Sequence, residues 1–389
     1  MLLVLSILLG LLILTAIVVI HELGHALVAK RNGVVVEEFG IGFPPAAKKW
    51  KVKKSILGDN VTYSLNWLPL GGFVKLQGEH DADSKKGDYG AATFWQKTKI
   101  LLAGVAMNWL TAAALLTILA FFGIPRILPD QFTIASDTHA TGKAVLISSV
   151  EKGSPADKLG LKTGDELISI NGSSYTTAES IIGTVKEHQG QNIEVSYRRG
   201  NETKTVNATL RTDSEKKPGQ GYLGAGLGQR ESLRATWSAP IVGVGLTAQM
   251  TGMTLQGLGS TLQHFAVGLV QKINPNKDAQ TQANANLAQA GDSVAGPVGL
   301  LGSILPRLVE AGINYVILIA AVISLSLAVI NALPIPALDG GRWFLTAVYR
   351  ILRRPLTAER EEAVNGIGFL VLMGLFVLIT VADVGKIVG

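Results

Sequence analysis

The chain has 389 residues, 48% of them hydrophobic and only 16% charged, well below the roughly one quarter charged residues of a soluble domain. Cysteine is absent, so disulfides, a cysteine nucleophile and a thiolate metal site are excluded, and a transition metal would have to be held by His, Asp or Glu. A net charge of +6 with a mean hydropathy of +0.33 argues against a disordered or nucleic-acid-coating protein and for a chain lying partly in lipid.

Residues 1–20 carry no charge and, at about 1.5 Å per residue, reach about 30 Å as a helix, the thickness of a bilayer core. No Lys or Arg precedes the run and no small-residue cleavage pattern ends it, so a span is predicted in preference to a signal peptide. At its end stands His21-Glu22-Leu23-Gly24-His25. Histidines at i and i+4 share one helical face and can hold one metal ion, and the glutamate between them can take a proton from a water that the metal activates. Three ionisable residues at the end of an apolar run are costly in lipid, which favours a functional site over an interfacial polar cap.

The loop from Lys30 to Lys99 holds twelve basic residues. Within it, residues 63–76 (YSLNWLPLGGFVKL) partly alternate and are punctuated by Pro69, Gly71 and Gly72, the pattern of a β-hairpin. Residues 100–125 form a second charge-free run, with a polar residue, Asn108, in Gly104-Val105-Ala106-Met107-Asn108. From 142 to 212 short β-branched runs alternate with Gly, Ser, Asn and Asp. Strands are predicted at 144–150 and 166–170, a helix at 176–188, and a hairpin from 192–197 and 204–210 turning at Arg199-Gly200-Asn201. The segment GSPADKLGLKTGDELISING, 153–172, resembles the core of a bacterial PDZ domain, which binds peptides or chain ends as an added strand. A Gly-rich connector is expected over 216–229, helices lying on or partly in the outer leaflet over 235–271, and a polar loop or short exposed helix over 274–290.

Residues 311–338 and 363–382 complete four charge-free runs. The third ends in Asn331-Ala332-Leu333-Pro334-Ile335-Pro336-Ala337-Leu338-Asp339-Gly340, whose prolines break the helix and leave Asp339 at membrane depth. Arg342, Arg350, Arg353, Arg354 and Arg360 follow, whereas the last residues carry only Lys386. The positive-inside bias therefore places both basic loops in the cytoplasm and 126–310 outside, and brings His21, His25 and Asp339 to the same side. Four parts are expected: 1–125 with the HELGH helix, 126–230 as the extracytoplasmic domain and connector, 231–310 at the membrane surface, and 311–389 with the last spans.

Taken together, HELGH, the NALPIPALDG segment with Asn331, Pro334, Leu338, Asp339 and Gly340 in place, and Ala295-Gly296-Pro297-Val298-Gly299 resemble the site-two proteases, intramembrane zinc metalloproteases whose bacterial members release anti-sigma factors. The resemblance implies a polytopic α-helical membrane protein of about four transmembrane helices, with an inserted α+β PDZ domain and a re-entrant β-hairpin loop. It implies Zn2+ on His21, His25 and Asp339, Glu22 as general base, and substrate contacts at Asn331, Pro334, Gly71 and Gly72. Expected partners are single-span membrane proteins, including remnant signal peptides, peptide or chain ends at the PDZ domain, and the bilayer, with no nucleic acid. The location implied is the cell membrane, with the active site towards the cytoplasm and the PDZ domain outside. The competing expectation is a non-catalytic PDZ scaffold that binds envelope peptides. His80, although it has acidic neighbours, is expected in a solvated loop.

Overall fold

The computed structural model describes residues 2–388 apart from 201, 217–218, 274–275 and 293–295. Asn201 of the predicted hairpin turn, Ala295 of the AGPVG segment and Asn274 of the polar stretch lie outside the described residues. The chain divides into two compact units, 118–242 and the remainder.

In the larger unit, helix α1 (Leu2–Arg31) runs eleven residues beyond the charge-free segment. It ends where Gly33 takes φ +83, the left-handed conformation that favours glycine at a helix C-terminus. Strands β1 (Val36–Ser55) and β2 (Gly58–Leu76) follow. Both are long and fold back on each other. Residues 46–55 pair with 58–66, 62–65 also pair with 38–41, and 36–41 pair in turn with 72–76, so the two strands make three ladders among four segments, with 46–55 and 72–76 at the edges. Helix α2 (Phe94–Phe122) opens on a reciprocal cap, Thr93 N donating to Gln96 Oε1 at 2.8 Å and Gln96 N to Thr93 Oγ1 at 3.4 Å.

The smaller unit carries an antiparallel sheet of β3 (Ile124–Pro125), β4 (His139–Val150), β5 (Glu166–Ile170), β6 (Ser173–Ser174), β7 (Asn192–Arg199), β8 (Glu202–Thr209) and β9 (Ala225–Arg234), ordered β3-β9-β4-β5-β7-β8 with β6 on β5. The short helix α3 (Pro155–Lys158) is capped by Ser154, whose Oγ accepts from Asp157 N, and α4 (Ala178–Glu187) covers the sheet. Val145, Ile147, Leu167, Ile170, Ile181, Ile193 and Val195 are among the core residues. The connector expected at 216–229 needs correction. Its last five residues open β9, which lies between β3 and β4; a glycine that suggests a linker sits where the strands approach closely, a Cβ at Gly226 meeting Ser149 Oγ at 2.4 Å.

Back in the larger unit, helix α5 (Ala239–Ile273) is one continuous helix of 35 residues, where several surface helices are expected. From Gly243 its first half packs along α2 in the opposite direction. Gly243 meets Thr117, Trp109 Nε1 donates to Thr251 Oγ1 at 3.2 Å, and Leu258 joins the cluster of Ala112, Leu325 and Val329. The polar stretch forms α6 (Lys277–Asp292). After α7 (Pro297–Gly299), a π turn at Leu300–Ile304 and α8 (Leu305–Ala311), helix α9 (Ile313–Ala332) is followed by α10 (Asp339–Ile351) and α11 (Ala358–Val388). The third apolar run therefore stops being helical at Ala332, because a residue before proline avoids the helical conformation, and Leu333 takes ψ 150. Four helices are long and apolar enough to cross a membrane: Leu3–Arg31, Phe94–Phe122, Ile313–Ala332 and Ala358–Gly385.

Candidate metal centre and active site

Two helices carry the site, and glycine lets them meet. A Cβ on Gly24 would lie 2.7 Å from the Ala103 carbonyl oxygen, and one on Gly104 only 2.4 Å from His25 Nε2 and 2.7 Å from His21 Nε2. The HELGH face of α1 is thereby pressed onto α2, and both imidazoles occupy the side where α2 has no side chain.

The third partner arrives through the broken end of α9. Ala337 adopts φ +73, and a Cβ on Gly340 would stand 2.4 Å from the Leu333 carbonyl oxygen and one on Gly341 1.9 Å from that of Ile335. Only glycine fits the return of the chain into α10, whose first residue is Asp339. His21 Nε2 lies 3.0 Å from Asp339 Oδ2 and 3.1 Å from His25 Nε2, and His25 Nε2 lies 3.2 Å from Asp339 Oδ2. These are the edges of a nearly equilateral triangle. Two ligands at 2.0–2.1 Å from a tetrahedral zinc are about 3.3 Å apart, so the donor set fits that ion. Among the described residues this is the one group of three or more such side chains gathered in this way.

Hydrogen bonds orient the two rings. His25 Nδ1 donates to the Ile100 carbonyl at 2.8 Å, leaving the Nε2 lone pair for a metal. His21 Nδ1 stands 3.3 Å from the Asn108 amide, and Asn108 Oδ1 is buried without a partner in the orientation drawn. Rotating that amide by half a turn, a choice that hydrogen bonding decides, lets its oxygen accept the Nδ1 proton that an Nε2-ligating imidazole carries. Glu22 Oε2 accepts from Val74 N at 3.1 Å, which ties the candidate base to the edge strand of the hairpin.

A cavity of about 200 Å³ opens here, lined by His21, Glu22, Asn108, Asn331, Leu338 and Asp339 together with Val18, Leu327 and Ala337. Asn331 thus lines the same cavity as His21 and Asp339. Pro334 is exposed and is not among the lining residues. Gly71 and Gly72 lie against α1, where a Cβ on Gly71 would be 3.4 Å from Val18 Cγ1 and one on Gly72 3.2 Å from Val19 Cγ2. Their place is one turn before Glu22, at the hairpin's seat. His80 lies 3.3 Å from Glu362 Oε1, away from this group. Sequence reading passed over Gly104, whose signal was a glycine four residues before the one amide side chain of an apolar run, and the Val74 amide, which has no side-chain signal at all.

The smaller unit has a groove of its own. A cavity of about 310 Å³ lies between α4 and the start of β9, lined by Ile181, Ile182, Val185, Leu223 and Leu227 with Lys186 and Lys216 among the polar residues. Nearby, burial works to raise the Asp165 carboxyl, but two bonds of 2.7 Å from Arg199 and one from the Lys162 amide hold it below its ordinary 3.8.

Comparison with known proteins extends over almost the same residues. The sequence profile of peptidase family M50 matches 9–375. A zinc metalloprotease of Clostridium perfringens is 32% identical over 377 residues, covering 96% of this chain and 97% of its own. Zinc metalloprotease RasP of Geobacillus kaustophilus is 26% identical, with 95% and 96% covered, and the chloroplastic membrane metalloprotease ARASP of Arabidopsis thaliana 28%, with 96% and 78%. Among solved structures, the PDZ domain of an SdrC-like protein from Listeria monocytogenes is 22% identical, covers 23% of this chain and 92% of that domain, and has a TM-score of 0.21.

Proposed function

The chain belongs to peptidase family M50 and is a zinc metalloprotease, and from that footing we propose that it hydrolyses peptide bonds inside the membrane, within the transmembrane segments of single-span proteins. Anti-sigma factors and remnant signal peptides are the substrate classes we assign. The observation that carries this reading is the placement of the donor triangle and Glu22 on α1 and at the broken end of α9, two helices apolar enough to cross a bilayer.

His21, His25 and Asp339 hold the zinc. When bound, zinc acts as a Lewis acid that polarises the scissile carbonyl and lowers the pKa of a water towards about 7. Glu22 takes the proton and delivers it to the leaving nitrogen, its carboxylate fixed by the Val74 amide. Asn331, facing the cavity, holds the substrate backbone. A carbonyl in an intact helix is shielded by its own hydrogen bond, so the substrate must be extended before it is cut, and the strand edge at 72–76 beside Glu22 is where an extended segment lies.

The hairpin is re-entrant in this reading. The Thr15 hydroxyl, within the first span, donates to the Pro69 carbonyl at 2.7 Å, and Phe43, Trp67, Leu68 and Leu70 are exposed around that end of the sheet. In this reading, which the positive-inside bias of the basic loops supports, the active site faces the cytoplasm and the inserted domain lies outside, in a cell membrane. The inserted domain is of PDZ type, and its apolar groove takes a peptide or chain end and keeps bulky ectodomains from the site.

The test is cleavage of a tagged single-span reporter co-expressed with the wild-type chain or with Glu22→Gln. Only the wild type is expected to yield the fragment, and a chelator should abolish it. The same fragment from both chains would remove Glu22 from the chemistry and overturn the reading.

A further inference from the structure

The outer edge of the hairpin sheet has no part in the site, yet it concentrates charge. Five of the seven residues from 48 to 54 are lysines, and all five are exposed. Lys49 pairs with Glu38 at 2.9 Å. Lys48, Lys51, Lys53 and Lys54 have no acidic partner among the described residues, although Asp59 stands opposite Lys54 in the ladder.

The depth of this edge can be read off α1. One end of the sheet is fixed at Thr15, through Pro69, and the other at Lys30, whose Nζ donates to the Ile56 carbonyl at 3.0 Å. Fifteen helical residues separate those two anchors, about 22 Å along the helix axis. Along that distance the exposed side chains change from apolar to basic. Phe43, Trp67 and Leu68 lie at the Thr15 end; Lys48 and Lys49 then lead into Trp50, stacked on Tyr63 with ring centroids 6.1 Å apart, and Lys51, Lys53 and Lys54 run on towards Ser55. An apolar end followed by lysines around an interfacial tryptophan suits a segment that leaves hydrocarbon through a headgroup layer. Lysines on a sheet edge also discourage strand pairing, but one or two would suffice for that.

We propose that Lys48, Lys49, Lys51, Lys53 and Lys54 form a binding surface for anionic phospholipid headgroups in the leaflet that holds the hairpin, so that a local shell of acidic lipid fixes the sheet's depth beside the active site. The proposal rests on the re-entrant reading above.

Because the chain has no cysteine, a single reporter can be placed at Ile56→Cys, at the lysine end of the sheet, and a second at Leu68→Cys, at the apolar end. The full-length protein, labelled with a fluorophore at one of these positions, is reconstituted in phosphatidylcholine vesicles containing the same mole fraction of spin-labelled phosphatidylglycerol or spin-labelled phosphatidylcholine. Each lysine near an acidic surface is worth about a fivefold factor in attraction before screening. We expect the glycerol lipid to quench the Ile56 reporter at least about threefold more than the choline lipid, with the preference lost at high salt. Replacing Lys48, Lys51, Lys53 and Lys54 with Gln should bring the ratio close to one, and replacing them with Arg should keep it, both variants retaining zinc. Equal quenching by the two lipids in the wild type, or a preference that survives the Gln variant, overturns the proposal. The Leu68 reporter separates the two readings: if acyl-chain spin labels fail to quench it, the hairpin does not enter the bilayer, whereas quenching there without headgroup preference at Ile56 refutes the lipid surface alone.

Discussion

Replacing Gly104 with Ala is the sharpest test of the metal centre, because the added methyl group would press on both imidazoles that would hold the ion. The added Cβ would lie 2.4 Å from His25 Nε2 and 2.7 Å from His21 Nε2, where real contacts stay above 3.0 Å. At least one ring must therefore retreat by about 0.6 Å, while metal–ligand distances tolerate only about 0.2 Å. Helix α2 itself gains from the change, since Ala is favoured over Gly by about 1 kcal/mol in a helix interior. The variant should thus be folded and as heat-resistant as the wild type, but purified with little zinc and unable to cut the reporter. Zinc content by elemental analysis, read beside thermal unfolding, checks both halves. Full zinc stoichiometry with normal cleavage would show that His21 and His25 do not share an ion beside Gly104.

Three further outcomes follow from the same geometry. Asn108→Ala removes the group that orients the His21 ring and should lower zinc affinity by about 10–100-fold, measured by competition with a chelator, with the fold intact. Removal of zinc by a chelator should abolish reporter cleavage and its re-addition restore it; activity that survives complete removal would detach the chemistry from the metal centre. In the inserted domain Asp165 is held below its ordinary value, so its contribution to stability is full above about pH 3.8 and is lost as the pH falls through the lowered value. Digested side by side with pepsin, Asp165→Asn should be cut faster than the wild type near pH 5, with the gap closing as the pH falls; a gap that is constant across this range would refute the assignment.

Much of the site was legible in the residues because its chemistry is encoded by spacing. His21 and His25 must share a helical face, and Asp339 follows two prolines that end an apolar helix, so both halves could be located without knowing how they meet. Four helices long and apolar enough to span were equally legible, since twenty charge-free residues have few alternatives to lipid. Their extents were not. The third apolar run continues to Leu338 in composition, but the chain leaves the helix at Ala332, because proline geometry and not hydropathy ends it.

Sequence alone thus determined the donor types, the number of apolar helices and the likeness of 153–172 to a peptide-binding domain, all of which depend on residue type and local period. Only the tertiary structure decided that Gly104 leaves room for the imidazoles, that the backbone of Val74 holds Glu22, that β9 closes the inserted sheet from within a glycine-rich stretch, and that α5 packs against α2. Each of these depends on a backbone group or a missing side chain meeting a partner tens to hundreds of residues away, and no local pattern of side chains records such a meeting.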